Sequence, residues 1–255
     1  MTKARLKREA VFFDQHFSEN TRARRARKFY SVNTAAGRHY RALIDDNCTG
    51  QKVLEYGCGK GKSALTLARH GADVVGIDIS AEGVRQARTL AREEGLQDKL
   101  TFEVMNAEQL EFPDNHFDIV CGNSILHHLN LDNTCHELIR VLKPEGRAVF
   151  LEPLGHNWLI NLYRKLTPEM RTEDEHPLLT SDLETLAGYF HEARIHYYAF
   201  CTLMAVPFRA LPGFKGLLTV LEFFDRILLR LPFIKRQAWL VVIQLDQPVS
   251  SIVNK

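Results

Sequence analysis

The chain has 255 residues, of which 45% are apolar and 25% charged. These are ordinary globular proportions, which exclude disordered and collagen-like classes. The length suits one large α/β domain, or one domain with additions, able to bury a core without disulfide or metal staples. The net charge of +2 is uneven: residues 1–41 hold 11 Lys/Arg against 3 Asp/Glu, and the remainder 22 against 28. A basic arm of this kind is either a solvated helix face or a surface for nucleic acid, anionic lipid or an acidic substrate.

The five cysteines (Cys48, Cys58, Cys121, Cys135, Cys201) form no CxxC pair. Their odd number and irregular spacing argue against a disulfide framework or structural zinc and fit a reducing compartment. No apolar stretch follows the basic N-terminus, so a secretory signal is not expected. Near the C-terminus the longest stretch without Lys, Arg, Asp or Glu is Ile195–Phe208, 14 residues, against the ~18 a spanning helix needs. A cytoplasmic location is expected, with peripheral contact at a membrane surface left open.

In chain order, residues 4–17 and 22–44 read as amphipathic helices. Short apolar runs then alternate with helical stretches. Strands are expected over 52–56 (KVLEY), 73–78 (DVVGID), 100–105, 117–122 (FDIVCG) and 147–152 (RAVFLE). Helices are expected over 63–70, from Ser80 as cap to about 94, and over 132–142. Turns are expected at Pro113–Asn115 and Lys143–Gly146. Strict alternation of strand and helix implies βαβ units and a parallel sheet. The tail differs. It reads as a helix over 182–190 capped by Ser181, strands over 194–200 and 238–245, and an apolar helical insertion over 203–234 broken by Pro207, Pro212 and Pro232.

The informative stretch is Glu55-Tyr-Gly57-Cys-Gly59-Lys-Gly61, between a strand and a helix. Its glycines allow positive φ and close approach of a ligand, and the next helix offers its N-terminal N–H groups. Asp78, 21 residues after Gly57 at the end of the second strand, can accept hydrogen bonds from two ribose hydroxyls. The dinucleotide fingerprint is G-x-G-x-x-G; here it is G-x-G-x-G with an acid two residues ahead. A carboxylate there would repel a pyrophosphate and favour a ligand carrying ammonium and sulfonium charge. This points to S-adenosylmethionine rather than NAD.

Residues 52–153 resemble the class I S-adenosylmethionine-dependent methyltransferases, in the type 11 group that includes quinone-biosynthesis enzymes. The resemblance rests on VLEYGCGKG (53–61), VVGIDIS (74–80), NAEQLEFPDNHFDIV (106–120), NSILHHL (123–129) and RVLKPEGRAVFLEP (140–153), in that order. It implies a Rossmann-like, doubly wound α/β sheet of seven strands, mostly parallel with the last antiparallel. A helical cap over 1–46, a cofactor-binding core over 47–153 and acceptor-side helices and strands over 154–255 complete the implied organisation. It further implies that Glu55, Gly57, Cys58 and Gly59 line the methionine portion of the cofactor, while Asp78 holds the ribose and Ile79 meets the adenine. Asn106, Ala107 and Glu108 would lie at the adenine edge, although many relatives have Asp in place of Asn106. Gly122, Asn123 and Ser124 would pass the sulfonium, and Tyr30 of the cap is a candidate contact.

Methyl transfer is an in-line displacement in which the enzyme mainly supplies proximity. A base is needed only where the nucleophile must lose a proton. His127, His128, His156 and His176 are candidates, His156 foremost because it follows Glu152–Pro153 at the end of the fifth strand. The acidic stretch 171–176 (RTEDEH) reads as a solvated or lid loop or an acceptor-recognition loop; adjacent acids seldom converge on one ion, and no metal is expected. Apolar residues over 153–234, flanked by Lys215, Arg226, Arg230, Lys235 and Arg236, form either an ordinary helical layer, the wall of an apolar pocket, or a membrane-facing surface. The expected activity is methyl transfer to a small, apolar or lipid-like acceptor, most simply at oxygen. Alternatives are a protein, peptide or RNA acceptor, a NAD-dependent oxidoreductase, and a non-catalytic binding module. No DNA partner is expected, and the Asn-Pro-Pro-Tyr type of sequence found in many amino-group methyltransferases is replaced by NSIL (123–126).

Overall fold

A computed structural model describes residues 3–19, 29, 31–46, 48–168, 172 and 175–249. Helices α1 (Lys3–Glu19) and α2 (Thr34–Asp45) precede the first strand. Then follow β1 (Lys52–Tyr56), α3 (Lys62–Arg69), β2 (Asp73–Asp78), α4 (Ala81–Glu93), β3 (Leu100–Val104), β4 (Phe117–Asn123), α5 (Leu131–Val141) and β5 (Leu142–Pro153). The tail carries α6 (Trp158–Leu166), α7 (Thr180–Gly188), β6 (Phe190–Tyr198), a 3-10 segment over Cys201–Phe208, α8 (Phe214–Leu228), α9 (Pro232–Lys235) and β7 (Leu240–Pro248). The strands form one seven-stranded sheet in the order β3-β2-β1-β4-β5-β7-β6. Pairs among β1 to β5 are parallel, and β7 runs antiparallel to both β5 and β6.

Side chains alternate across a strand, so successive residues load opposite faces of the sheet. Leu54, Phe150 and Val241 join one core cluster, with Leu138 of α5 and Leu183 of α7. Val53, Val149 and Val242 join the other, with Tyr40 of α2 and Leu65 of α3. Both faces are therefore covered by helices, which is why the strands read as nearly unbroken apolar runs. A third cluster, around Val32, Ile160, Leu203 and Leu218, ties the tail insertion to the start of α2.

Three sequence expectations are corrected. Lys143–Gly146 is not a free turn but the opening of β5: Phe117 pairs with Leu142, and the register slips before Ile119 meets Arg147. The excess residues are taken up in the strand, and Gly146 passes too close to the Lys143 carbonyl for a side chain, 2.9 Å for a built Cβ. Ser181 is not the cap of α7. That helix begins at Thr180 because the Asp182 carboxylate reaches back to accept from Leu179 N at 2.7 Å. The next strand likewise starts at Phe190, held by pairing with Pro248 on β7.

Candidate functional site

Strand β1 lies between β2 and β4, and the connections leave it in opposite directions, so a crevice opens beyond the strand ends there. The chain leaves β1 through Gly57, Gly59 and Gly61, all at positive φ. At Gly59 (φ 51°) a Cβ would stand 3.1 Å from the Phe17 ring, so the loop is bare backbone beneath an aromatic lid. Asp78 sits beside it, 8% exposed. One of its carboxylate oxygens accepts from Gly59 N and the other from Ser80 N, both at 2.8 Å. These bonds fix the carboxylate, and each oxygen keeps a lone pair for a ligand. Burial raises its pKa.

Helix α1 lies over this crevice. Its Asp14 accepts from Ser80 Oγ at 2.5 Å and from Glu82 N at 3.0 Å, at the start of α4, where a carboxylate complements the helix dipole. Phe17 rests on Gly59 and Gly83. Arg5 reaches Glu108 at 3.4 Å and the His128 carbonyl, so this part of the basic arm is engaged in the fold rather than solvated.

The crevice deepens into a cavity of about 420 Å³. Gly57, Gly59, Asp78, Ile79, Asn106, Ala107, Asn123 and Ser124, all expected in the cofactor site, line this cavity. Ser124 holds a left-handed conformation (φ 57°), uncommon for a residue with a side chain, and its N–H is tied to the Leu151 carbonyl at 2.8 Å. Phe29, Ile160, Tyr163 and Trp239 also wall it; the Phe29 and Tyr163 rings pack 4.7 Å apart.

Four expected cofactor residues stand behind the wall instead of on it. Glu55 is turned under α3, where it accepts from Ala64 N at 3.0 Å; burial pushes its pKa up to about 7. The Cys58 thiol is buried beneath the loop and pushed up by desolvation. Glu108 accepts from Asn130 N at 2.9 Å, joining the loop after β3 to the start of α5. Gly122 leaves room for Ile125, which a Cβ would approach to 2.7 Å. Tyr30 lies outside the described residues.

The histidines separate clearly. His127 and His128, on a 3-10 turn over Leu126–His128, both line the cavity. Glu152, fully buried, accepts from Ile125 N at 2.8 Å and Leu126 N at 2.9 Å, and its second oxygen lies 2.7 Å from His127 Nδ1. Its own pKa is pushed up to about 7 by burial. His128 Nδ1 lies 3.4 Å from Glu9. His156 is not with them. Its Nε2 faces Thr180 N at 3.2 Å and Thr180 Oγ1 at 3.0 Å, so it serves the start of α7. His176 donates its backbone N–H to the His127 carbonyl at 3.0 Å, while its ring stands outside the cavity lining. Sequence reasoning missed Glu9, Phe13 and Phe17 on the cavity wall because the docking of α1 is long-range. Of the stretch 171–176, read as a solvated, lid or acceptor-recognition loop, Glu175 lines the cavity.

Residues 54–150 match the family described as "Methyltransferase domain". Among similar proteins, the methyltransferase GfsG of Streptomyces halstedii is 40% identical over 109 residues, covering 42% of this chain and 39% of that protein. The ubiquinone biosynthesis O-methyltransferase of Klebsiella pneumoniae is 33% identical over 113 residues, 44% of this chain and 47% of that protein. The matched region thus spans less than half of either relative. Geranyl diphosphate C-methyltransferase from Streptomyces coelicolor, solved with Mg²⁺, geranyl diphosphate and S-adenosyl-L-homocysteine, superposes with a TM-score of 0.62 at 15% identity, over 84% of this chain and 80% of that one. That likeness establishes the fold. Residues 54–150 thus match a methyltransferase domain, set on a Rossmann-like sheet that carries the glycine loop and Asp78 at its strand ends.

Proposed function

We propose that this methyltransferase binds S-adenosylmethionine at the glycine end of the cavity and methylates an oxygen of a small, apolar acceptor at the aromatic end. The observation that carries this reading is one continuous cavity lined by a bare glycine loop, a fixed carboxylate and an imidazole–carboxylate cluster. The residues fit the cofactor. Asp78 has two oriented acceptor oxygens for the ribose hydroxyls, Gly57 and Gly59 leave space for the amino-acid portion, and Ile79 and Ala107 offer apolar contact for the base. Bound S-adenosylmethionine supplies an electrophilic methyl on a sulfonium centre.

The protein's part is chiefly alignment. Asn123 and Ser124 stand between the two ends and set where the methyl-bearing centre meets the acceptor. Phe29, Tyr163 and Trp239 take an apolar ring or chain and exclude water. His127 and His128, with Glu9 and Glu175 around them, form the end at which an acceptor hydroxyl loses its proton. A protein or RNA acceptor would have to thread its reactive group past α1 and the aromatic wall, so a small molecule is favoured.

A peripheral membrane contact belongs to the same reading. The exposed side of α8 and α9 carries Leu217, Val220, Phe223, Ile227 and Phe233 beside Lys215, Arg226 and Arg230. That combination suits an anionic lipid surface. Among the described residues no helix is long and apolar enough to cross a membrane. The inner side of α8, through Leu218, packs in the cluster that holds Ile160, with Phe29 and Trp239 against it, so the surface adjoins the acceptor wall.

The test is calorimetric titration with S-adenosylmethionine, S-adenosylhomocysteine and NAD, followed by a screen of apolar phenols and alcohols for S-adenosylhomocysteine formation. Micromolar binding of the first two and turnover with a hydroxylated acceptor are expected. Binding of NAD alone would overturn the reading.

A further inference from the structure

Four side chains from three distant parts of the sequence meet at one corner of the cavity: Glu9 of α1, His127 and His128 of the 3-10 turn, and Glu175 of the loop before α7. His127 Nε2 lies 4.0 Å from a Glu175 oxygen, and His128 Nδ1 lies 3.4 Å from a Glu9 oxygen. One donor atom from each of His127, His128 and Glu175 falls within 4.8 Å of the others. Ligands at ~2.1 Å from a tetrahedral ion stand about 3.4 Å apart, so small side-chain rotations close the set around one centre.

Two independent observations show that this corner is built to receive a cation. Glu9 is 4% exposed, and neither of its carboxylate oxygens, nor Nδ1 of His128, has a hydrogen-bond partner among the described residues. A buried carboxylate whose nearest cationic partner is an imidazole at 3.4 Å, without an aligned hydrogen bond, gains from further positive charge. Glu152 stands behind His127, 2.7 Å from Nδ1, and is itself locked by two backbone N–H groups; as a carboxylate it accepts from an Nδ1–H. That bond turns the Nε2 lone pair into the cavity, the arrangement that orients a metal-bound imidazole.

We propose that Glu9, His127, His128 and Glu175 bind one divalent transition-metal ion, of the manganese-to-zinc kind, at the acceptor end of the cavity. Two imidazoles and two carboxylates suit such ions better than magnesium or calcium, which prefer all-oxygen sites. With four protein ligands the ion takes an acceptor hydroxyl or phenol oxygen from the cavity side as a fifth ligand, expanding from tetrahedral to five-coordinate. Coordination makes the hydroxyl proton more acidic. The O–H bond breaks and its proton passes to solvent. The oxygen lone pair then forms the O–CH₃ bond as the methyl–sulfur bond breaks and its electron pair returns to sulfur. The role of the ion rests on the methyltransferase reading above; the binding site itself does not.

The experiment uses the full chain, stripped with chelator and titrated with Co²⁺, Mn²⁺ and Zn²⁺ by calorimetry, with the visible spectrum of Co²⁺ as readout of its ligands. Expected are one Co²⁺ per chain, d–d bands indicating nitrogen and oxygen ligation, and at least tenfold weaker binding in Glu9→Gln and Glu175→Gln. S-adenosylhomocysteine affinity and thermal melting should stay near wild type in Glu175→Gln, and Glu9→Gln should keep a cooperative melt. Glu175 lies in a loop, so Glu175→Gln guards against a variant that fails to fold. The proposal is overturned if the wild type binds no Co²⁺, or binds it no better than both folded variants. Metal binding without S-adenosylmethionine binding would sink the methyltransferase reading and leave the site standing. The reverse result would do the opposite.

Discussion

Replacing Asp78 with Asn separates its two duties. Each carboxylate oxygen already accepts one backbone N–H, from Gly59 and from Ser80, which leaves one lone pair per oxygen for a ribose hydroxyl. In Asp78→Asn one oxygen becomes an NH₂ group that faces a backbone donor and can no longer accept from ribose. A hydrogen bond to a charged acceptor is worth about 1.5–3 kcal/mol, and the second hydroxyl exchanges a charged acceptor for a neutral one. A loss of about 3 kcal/mol in binding corresponds to a ~150-fold weaker Kd. Stability should fall by about 1–3 kcal/mol, since one buried N–H loses its acceptor. Calorimetry with S-adenosylhomocysteine and thermal melting read the two effects separately. A folded variant that binds within threefold of wild type would refute the assignment of Asp78 to the ribose.

Three further outcomes are expected. Burial holds the Glu55 pKa at about 7, above the usual 4.5 of a glutamate, so the folded state keeps a proton that the unfolded chain releases as pH rises through this window. Stability should fall by about 3 kcal/mol between pH 4.5 and 7 on this account; in Glu55→Gln denaturant melts at these pH values should lose that slope, and an unchanged slope would refute it. His156→Ala removes an acceptor from the start of α7 and should cost about 1 kcal/mol of stability. It should leave the rate of S-adenosylhomocysteine formation within twofold; a hundredfold loss of turnover would restore His156 as a catalytic group. Cosedimentation should show binding to vesicles containing phosphatidylglycerol but not to pure phosphatidylcholine. Phe223→Asp with Phe233→Asp should abolish that binding, and equal retention by the double variant would rule out the α8–α9 surface.

The parallel core was legible because its signals are local. Val53, Leu54, Val74 and Ile119 declare buried strands by their runs, Ser80 declares a cap, and the glycine loop declares a close approach. What escaped depends on partners far along the chain. Nothing around Glu9 distinguishes it from the other charges of a basic helix until α1 docks and brings it to His128. Glu175 reads as one of several adjacent acids, and only the fold selects it for the cavity. His156 looked catalytic from its place after β5, yet Thr180 claims its ring. At Lys143–Gly146 the turn signal was genuine, but strand pairing with β4 outweighed it.

The position of α1 has a thermodynamic consequence. The helix touches the glycine loop through Phe17 and the histidine turn through Glu9, eight residues apart and therefore about 12 Å along its axis. A ligand that displaces this helix at one contact therefore displaces it at the other. Any change that one ligand makes in the affinity for a second is returned by the second in the same factor, with no contact between them required.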